Sequence, residues 1–111
     1  MRIEFASTKM QKVCSSDKLM RKEWGVPVAR KLQQRLAELD SFDTLSDVGQ
    51  LPQIRCHELA GNRKGELAVD LVHPYRLIFR PGHDPLPTKA DGGLDWKQVK
   101  TIVIVEVVDY H

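Results

Sequence analysis

The clearest indication of the architecture is one stretch of the sequence, ELAVDLVHPYRLIFR, from Glu66 to Arg80. Its first half alternates apolar and more polar residues from Leu67 to Leu71, and its second half, Tyr75 to Arg80, does the same. The pair His73-Pro74 between them is a turn signal. Alternation with a period of two places every second side chain on the same face of a strand. The stretch therefore predicts two antiparallel strands with one face turned toward a core.

Further strands are predicted on both sides of this hairpin. The segment Thr101 to Val108 is dense in β-branched residues, which is typical of a central strand. Ile54 to Ala60 predicts another strand, and the glycine-bracketed turn Gly61 to Gly65 follows it. At the N-terminus, Arg2 to Ala6 alternates and predicts a short strand. The Pro-, Gly- and Asp-rich segment from Pro81 to Lys100 is too long for a tight hairpin and predicts an inserted loop.

Two helices are predicted between the N-terminal strand and residue 40. Ser7 is a candidate N-cap for the first helix, which runs to Trp24 with a possible interruption at Ser15-Ser16-Asp17. Gly25 ends it, and Pro27 fits the first turn of the second helix. Apolar residues recur in the second helix at spacings of three and four, whereas its polar residues, Arg35 among them, lie elsewhere around the helix. The apolar positions are Val28, Leu32, Leu36 and Leu39.

The polar segment Ser41 to Gln53, broken by Pro52, is predicted to be a loop with one short turn. The predicted fold class is α+β, with the N-terminal strand and the two-helix hairpin packed on one face of a small antiparallel sheet.

Length and composition restrict the class of protein further. With 111 residues, 41% of them apolar and 29% charged, the chain has the size of a single domain and is not expected to be disordered. No apolar run approaches the ~18 residues of a membrane span, so we expect a cytoplasmic protein without a membrane partner. Cys14 and Cys56 lack the spacing of metal ligands and are expected to be reduced and packed as small hydrophobes. We expect no cofactor and no metal.

Charge is unevenly distributed along a chain whose net charge is only +2. Lys and Arg outnumber Asp and Glu from Met1 to Asp40 and from Gln53 to Arg80, whereas acidic residues predominate after Pro81. Such a distribution permits a polyanionic partner without requiring one.

Candidate phosphate ligands lie on the predicted hairpins. Arg76 and Arg80 share the face of their strand that is opposite the core set, and two guanidinium groups at this spacing suit phosphate oxygens. The alternative is a solvated face with ion pairs to Glu66 or Asp70. Two more cations, Arg63 and Lys64, occupy the tip of the preceding turn, where the alternative is an ordinary polar turn.

Candidate proton-transfer groups are His57 and the terminal residues Asp109, Tyr110 and His111. The alternatives are a structural histidine and an ordinary polar tail. Together with the arginines, these groups suit RNA cleavage by attack of a ribose 2′-hydroxyl on the adjacent phosphorus. This reaction needs a base, an acid and cations that stabilise the phosphorane, and it needs no metal. Histidine can fill either proton-transfer role near neutral pH.

Three motifs resemble the HigB branch of the RelE/ParE toxin superfamily. They are CHELAGNRKG from Cys56 to Gly65, YRLIF from Tyr75 to Phe79, and DYH from Asp109 to His111. The segment LAELD from Leu36 to Asp40 also fits, so the resemblance extends over nearly the whole chain. It implies one RelE-like domain over residues 1–111, with residues 81–100 as an insertion.

The function that this resemblance implies is that of a toxin in a bacterial toxin–antitoxin pair. Members of the branch are endoribonucleases that cut mRNA on the translating ribosome, and a small antitoxin, usually a helix-turn-helix protein, neutralises them. The expected partners are therefore the antitoxin, the ribosome and mRNA.

The resemblance also implies roles for individual residues. His57 matches a proton-transfer histidine, Arg76 matches the arginine on the scissile phosphate, and Arg63 matches a turn arginine with a phosphate-binding or structural role. Asp109, Tyr110 and His111 match a terminal triplet implicated in catalysis and nucleotide positioning.

Two features depart from the family pattern. Ala60 occupies a position at which lysine is common, so one cation is missing unless Lys64 or Arg80 replaces it. The segment 81–100 is longer than the usual turn. These departures keep an alternative open: a non-catalytic or ParE-like member that inhibits gyrase or binds an antitoxin or RNA. A generic α+β domain that matches the motifs by chance is a further alternative.

Overall fold

The computed structural model describes residues 1–109, and within them five strands form one sheet against four α-helices. The strands are β1 (Arg2–Phe5), β2 (His57–Glu58), β3 (Leu67–Asp70), β4 (Tyr75–Pro81) and β5 (Thr101–Asp109). The helices are α1 (Thr8–Cys14), α2 (Asp17–Trp24), α3 (Val26–Ser41) and α4 (Leu45–Gly49), with short 3-10 turns at Gly61–Arg63 and Trp96–Gln98. The predicted α+β class is confirmed.

The sheet is mixed and includes the N-terminal strand, so the prediction that this strand packs with the helices on one face of an antiparallel sheet is wrong. The strand order is β1-β5-β4-β3-β2, and β1 runs parallel to β5 with Arg2 opposite Thr101. The other neighbours are antiparallel. Alternation within β1 specifies its faces but not its neighbour. The long helical connection supplies the crossover that a parallel pair requires.

The predicted two-helix hairpin consists of three helices, because the serine-rich interruption does break the first. Ser7 caps α1 by accepting from the Met10 amide, and Ser16 caps α2 by accepting from the Leu19 amide. Gly25 takes a φ of +87° between α2 and α3, which glycine adopts without strain. Within residues 1–109 no helix has the length and apolar character needed to cross a bilayer.

Two predicted segments differ from the structure in extent. The predicted loop after residue 40 contains helix α4, whose Thr44–Asp47 capping box and buried Leu45 and Val48 hold it against the core. The strand predicted over Ile54 to Ala60 is reduced to β2, because Arg55 takes a left-handed backbone with a φ of +55° that extended pairing does not allow.

The core lies between the helices and one face of the sheet. The apolar residues predicted on one face of the second helix and of β4 are buried or partly buried there, which confirms both stripes. The sheet contributes Leu67, Val69, Leu77, Phe79, Ile102 and Ile104, and the helices contribute Val28, Ala29, Leu32, Leu39, Leu45 and Val48. The opposite face, which we call the outer face, carries a smaller buried strip of Ala68, Ile78 and Val103.

Arg35 is buried, although the sequence placed it with the polar residues that lie away from the apolar positions of α3. Its residue is 5% exposed, and its Nε donates to the backbone carbonyl of Asp70 at 2.9 Å. Its Nη1 pairs with Glu38 at 2.7 Å. The guanidinium thus ties α3 to the end of β3, and helix periodicity does not reveal such a long-range backbone contact.

The two cysteines are free thiols that pack against the core, as predicted. Burial raises the pKa of Cys14 from 9.0 to about 11. Burial, with a contribution from the Glu58 carboxylate, raises the pKa of Cys56 from 9.0 to about 12. Both thiols are therefore harder to ionise in the folded protein than in the unfolded chain.

This difference predicts a loss of stability at alkaline pH. Below pH 9 both states keep the thiol protons, whereas above it the unfolded chain releases them first, so the free energy of unfolding falls as pH rises. Each thiol contributes up to about 1.4 kcal/mol per pH unit. We expect urea denaturation from about pH 8 to about pH 10 to show a shallower decline for Cys56→Ala than for the wild type. Equal declines would contradict the assignment.

Candidate active site

The outer face brings several predicted site residues close together. Strand register aligns His57, Ala68, Ile78 and Glu106 in one row across β2, β3, β4 and β5. The next row on the same face contains Asp70, Arg76 and Val108. The proton-transfer candidate His57 and the phosphate-binding candidate Arg76 therefore lie in neighbouring rows.

His57 is half-buried and held in one orientation. Its Nδ1–H donates to the backbone carbonyl of Arg55 at 2.8 Å. A neutral ring in this tautomer carries its lone pair on Nε2, so Nε2 is the atom that can take up a proton from a substrate. The hydrogen bond thus fixes which ring atom is available for chemistry.

Arg76 lies in a narrow polar cleft of about 190 Å³ at the end of β4. Its Nε is 3.4 Å from Oδ1 of Asp70, and Arg55 Nε is 3.2 Å from Oδ2 of the same carboxylate. The Asp70 Oδ1 atom is buried and accepts no hydrogen bond from the described residues. We call this cleft the Arg55–Arg76 cleft; it is lined by Arg55, Asp70, Leu71, His73, Pro74, Tyr75 and Arg76.

Arg63 holds the turn after β2 onto the outer face. Its guanidinium donates to Glu66 at 2.8 Å and to Glu106 at 2.6 Å. The hydrogen bond to Glu66, followed by that to Glu106, raises the pKa of Arg63 above its ordinary value. Of the two roles that the resemblance allows for Arg63, these contacts support the structural one.

A larger hollow of about 670 Å³ opens between this turn and the end of β5. Its lining comprises Leu59, Ala60, Asn62, Arg63, Val108 and Asp109. Asp109 is exposed and lies opposite Tyr75 in the register, so the pleat assigns it to the face opposite Arg76. The other two members of the predicted triplet, Tyr110 and His111, lie outside the described residues.

The remaining predicted cations, Lys64 and Arg80, are exposed and lie in different places. Lys64 lines a groove of about 400 Å³ between the turn and the segment that follows β4. Arg80 lines a hollow of about 480 Å³ with Arg2, Glu4 and Gln11. Arg76 and Arg80 therefore line separate depressions.

The long segment after β4 is folded against the edge of the sheet at β2. The Trp96 indole N–H donates to Glu58 at 3.0 Å. His83 Nε2 accepts from the backbone amides of Lys100 at 3.0 Å and Thr101 at 3.2 Å, which fixes the segment where it enters β5. Among residues 1–109, no group of three His, Cys, Asp or Glu side chains is placed to hold a metal ion.

Sequence reasoning missed Arg55 as a site residue. It stands in a predicted strand, and only its left-handed backbone explains why its carbonyl reaches the His57 ring. The one available signal was its position two residues before His57. Comparison with models of known protein families and with curated proteins gave no match to this chain.

Proposed function

We propose that the protein is a HigB-like toxin of the RelE/ParE superfamily, an endoribonuclease that cleaves mRNA on the translating ribosome. The observation that carries the proposal is the placement of His57 and Arg76 in neighbouring rows of one open face, with the histidine fixed by the Arg55 carbonyl. The three motifs of the resemblance support it, since each contributes to this face or to the end of β5.

In the proposed reaction, the ribose 2′-oxygen attacks phosphorus while the bond from phosphorus to the 5′-oxygen breaks. One group takes the 2′ proton and another donates a proton to the leaving 5′-oxygen, giving a 2′,3′-cyclic phosphate and a 5′-hydroxyl. His57 Nε2 fills one of these roles, and the terminal Asp109-Tyr110-His111 segment supplies the other. Arg76 stabilises the negative charge that develops on the phosphorane.

The charge of the helical layer is consistent with a ribosomal partner. Six Lys and Arg side chains of α1, α2 and α3 are exposed, namely Lys9, Lys12, Lys18, Arg21, Lys22 and Arg30. Exposed cations attract the phosphate backbone of RNA independently of its sequence. A cytoplasmic location and a cognate helix-turn-helix antitoxin belong to the same proposal.

A binding-only member of the superfamily is the second candidate. Arg63 is matched by two carboxylates, and Ala60 leaves the adjoining hollow without the lysine common in the family. A hollow with fewer cations stabilises a phosphorane less, which favours a protein that binds gyrase, an antitoxin or RNA without cleaving it.

Mapping of mRNA 5′ ends after induction separates these functions. The wild type is expected to arrest growth and to create new cleavage sites within translated frames, whereas an Arg76→Ala/His111→Ala double variant should do neither. Circular dichroism should show that the variant is folded. Growth arrest without new 5′ ends would favour gyrase inhibition, and the absence of both effects with soluble wild-type protein would favour a binding-only member.

A further inference from the structure

We propose that Arg55 is a second phosphate-binding cation of the candidate active site, held beside Arg76 by their shared partner Asp70. The inference rests on the proposed function, because it takes the ligand to be an RNA phosphate. It supplies a cation that neither Lys64 nor Arg80 provides, since those two side chains line other depressions.

The balance of charge in the Arg55–Arg76 cleft supports an anionic ligand. Two guanidinium groups share the single carboxylate of Asp70, at 3.2 Å and 3.4 Å. This is the reverse of the situation at Arg63, where two carboxylates surround one guanidinium. Among the described side chains that line this cleft, guanidinium groups outnumber carboxylates by two to one, whereas the ratio is reversed around Arg63.

Asp70 also arranges the two arginines for binding. Its side chain is 26% exposed, and the carbonyl of the same residue accepts from the buried Arg35, so the carboxylate stands on a fixed backbone. Arg55 meets it through Nε, which leaves the two terminal nitrogens for a ligand within the described part of the chain. A guanidinium fork fixed in this way loses little side-chain entropy when it donates to a phosphate.

The position of Arg55 suits a substrate that also reaches His57. The Arg55 side chain is 68% exposed at the mouth of the cleft, while its carbonyl accepts from the His57 ring. One residue thus contacts the proton-transfer candidate through its backbone and the phosphate site through its side chain. A phosphodiester between His57 and Arg76 would lie within the range of Arg55.

The test uses variants that separate these two contributions of Arg55. Arg55→Gly removes the guanidinium but tolerates the φ of +55°, whereas Arg55→Val also disfavours that backbone. Arg2→Ala is the matched control, because Arg2 is likewise an exposed arginine whose Nε pairs with a carboxylate at 3.2 Å, that of Glu4, but it lies on β1. The probe is a short single-stranded RNA made non-cleavable by 2′-O-methyl groups, and fluorescence anisotropy over a range of salt concentrations reports its binding.

We expect Arg55→Gly to weaken RNA binding by about tenfold or more, and to reduce the slope of log affinity against log salt by about 0.7. Arg2→Ala should change both quantities much less. Arg55→Val should show the same loss of affinity and, in cleavage on the ribosome, a lower kcat than Arg55→Gly, because it also disturbs the His57 contact.

Two results would overturn the inference: binding by Arg55→Gly that equals the wild type, or failure of the wild type to bind the RNA. Its failure is distinguishable from failure of the proposed function. Arg55-dependent RNA binding without cleavage of translated mRNA would leave the phosphate site standing and remove the nuclease. If Arg55→Gly cleaved translated mRNA as fast as the wild type, the nuclease would be supported and the phosphate-binding role of Arg55 would be contradicted.

Discussion

His57→Ala is expected to slow cleavage of ribosome-bound mRNA by roughly 10²- to 10⁴-fold, the usual contribution of a positioned proton-transfer group. The physical reason is that alanine removes the imidazole of His57, whereas the backbone pairing of residue 57 with Ala68 stays intact. Single-turnover cleavage of a defined mRNA on purified ribosomes measures the effect.

Two companion variants make this result specific to proton transfer. His57→Asn keeps an amide donor that can reach the Arg55 carbonyl but cannot exchange a proton at neutral pH, so we expect a rate close to that of His57→Ala. Glu58→Gln changes the exposed neighbour on the same strand and should retain cleavage. A His57→Asn variant with the wild-type rate would show that His57 positions the substrate and transfers no proton.

Arg35→Ala is expected to lower the free energy of unfolding by about 3 to 5 kcal/mol, as is typical when one partner of a buried ion pair is removed. The change removes a residue that is 5% exposed, together with its donor to the Asp70 carbonyl, and it leaves the Glu38 carboxylate, on a side chain that is 25% exposed, without this partner. Urea denaturation followed by circular dichroism measures the loss. Because the Asp70 backbone supports both Arg55 and Arg76, the cleavage rate should also fall.

The matched control for Arg35 is Arg30→Ala, an exposed position on the same helix whose substitution should change stability by less than about 0.5 kcal/mol. Arg35→Met provides a second comparison, since it fills similar volume without charge. We expect it to be more stable than Arg35→Ala but to cleave no faster, because the Asp70 carbonyl still lacks its donor. Equal stability of Arg30→Ala and Arg35→Ala would contradict the assigned role.

The periodicity of apolar residues predicted those strands and helices that carry a continuous apolar face. The alternation of Leu77 and Phe79 in β4 and the spacing of Leu32 and Leu39 in α3 both correspond to buried faces. Periodicity carries no information about pairing partners, so the parallel alignment of β1 with β5 was not predictable from it. The break before β2 was missed because it depends on the backbone of Arg55, a residue type with no strong preference for positive φ.

The sequence predicted the types of residue in the candidate site, but it did not predict the ion pairs and hydrogen bonds that join those residues. His57 and Arg76 were singled out from their chemistry and from the motif resemblance, and the register places them in neighbouring rows. The sequence offered Asp70 only as one of two alternative ion-pair partners, with Glu66, and gave no indication that its carboxylate joins Arg76 to Arg55. Arg35 was placed away from the apolar positions of α3, and its burial was not predicted because its contact with Asp70 joins elements far apart in the sequence.

The position of β5 between β1 and β4 has a consequence for biosynthesis. β5 follows all other described elements in the chain, yet it is the strand that joins β1 to β4 in the sheet. A nascent chain that has not passed Lys100 has no partner for β1 and no Glu106 to hold Arg63, and it lacks Val108 and Asp109 from the lining of the large hollow. Pairing between distant segments makes folding slow. We therefore expect the outer face of the sheet to assemble late, after the helices and the β3–β4 hairpin have had time to form.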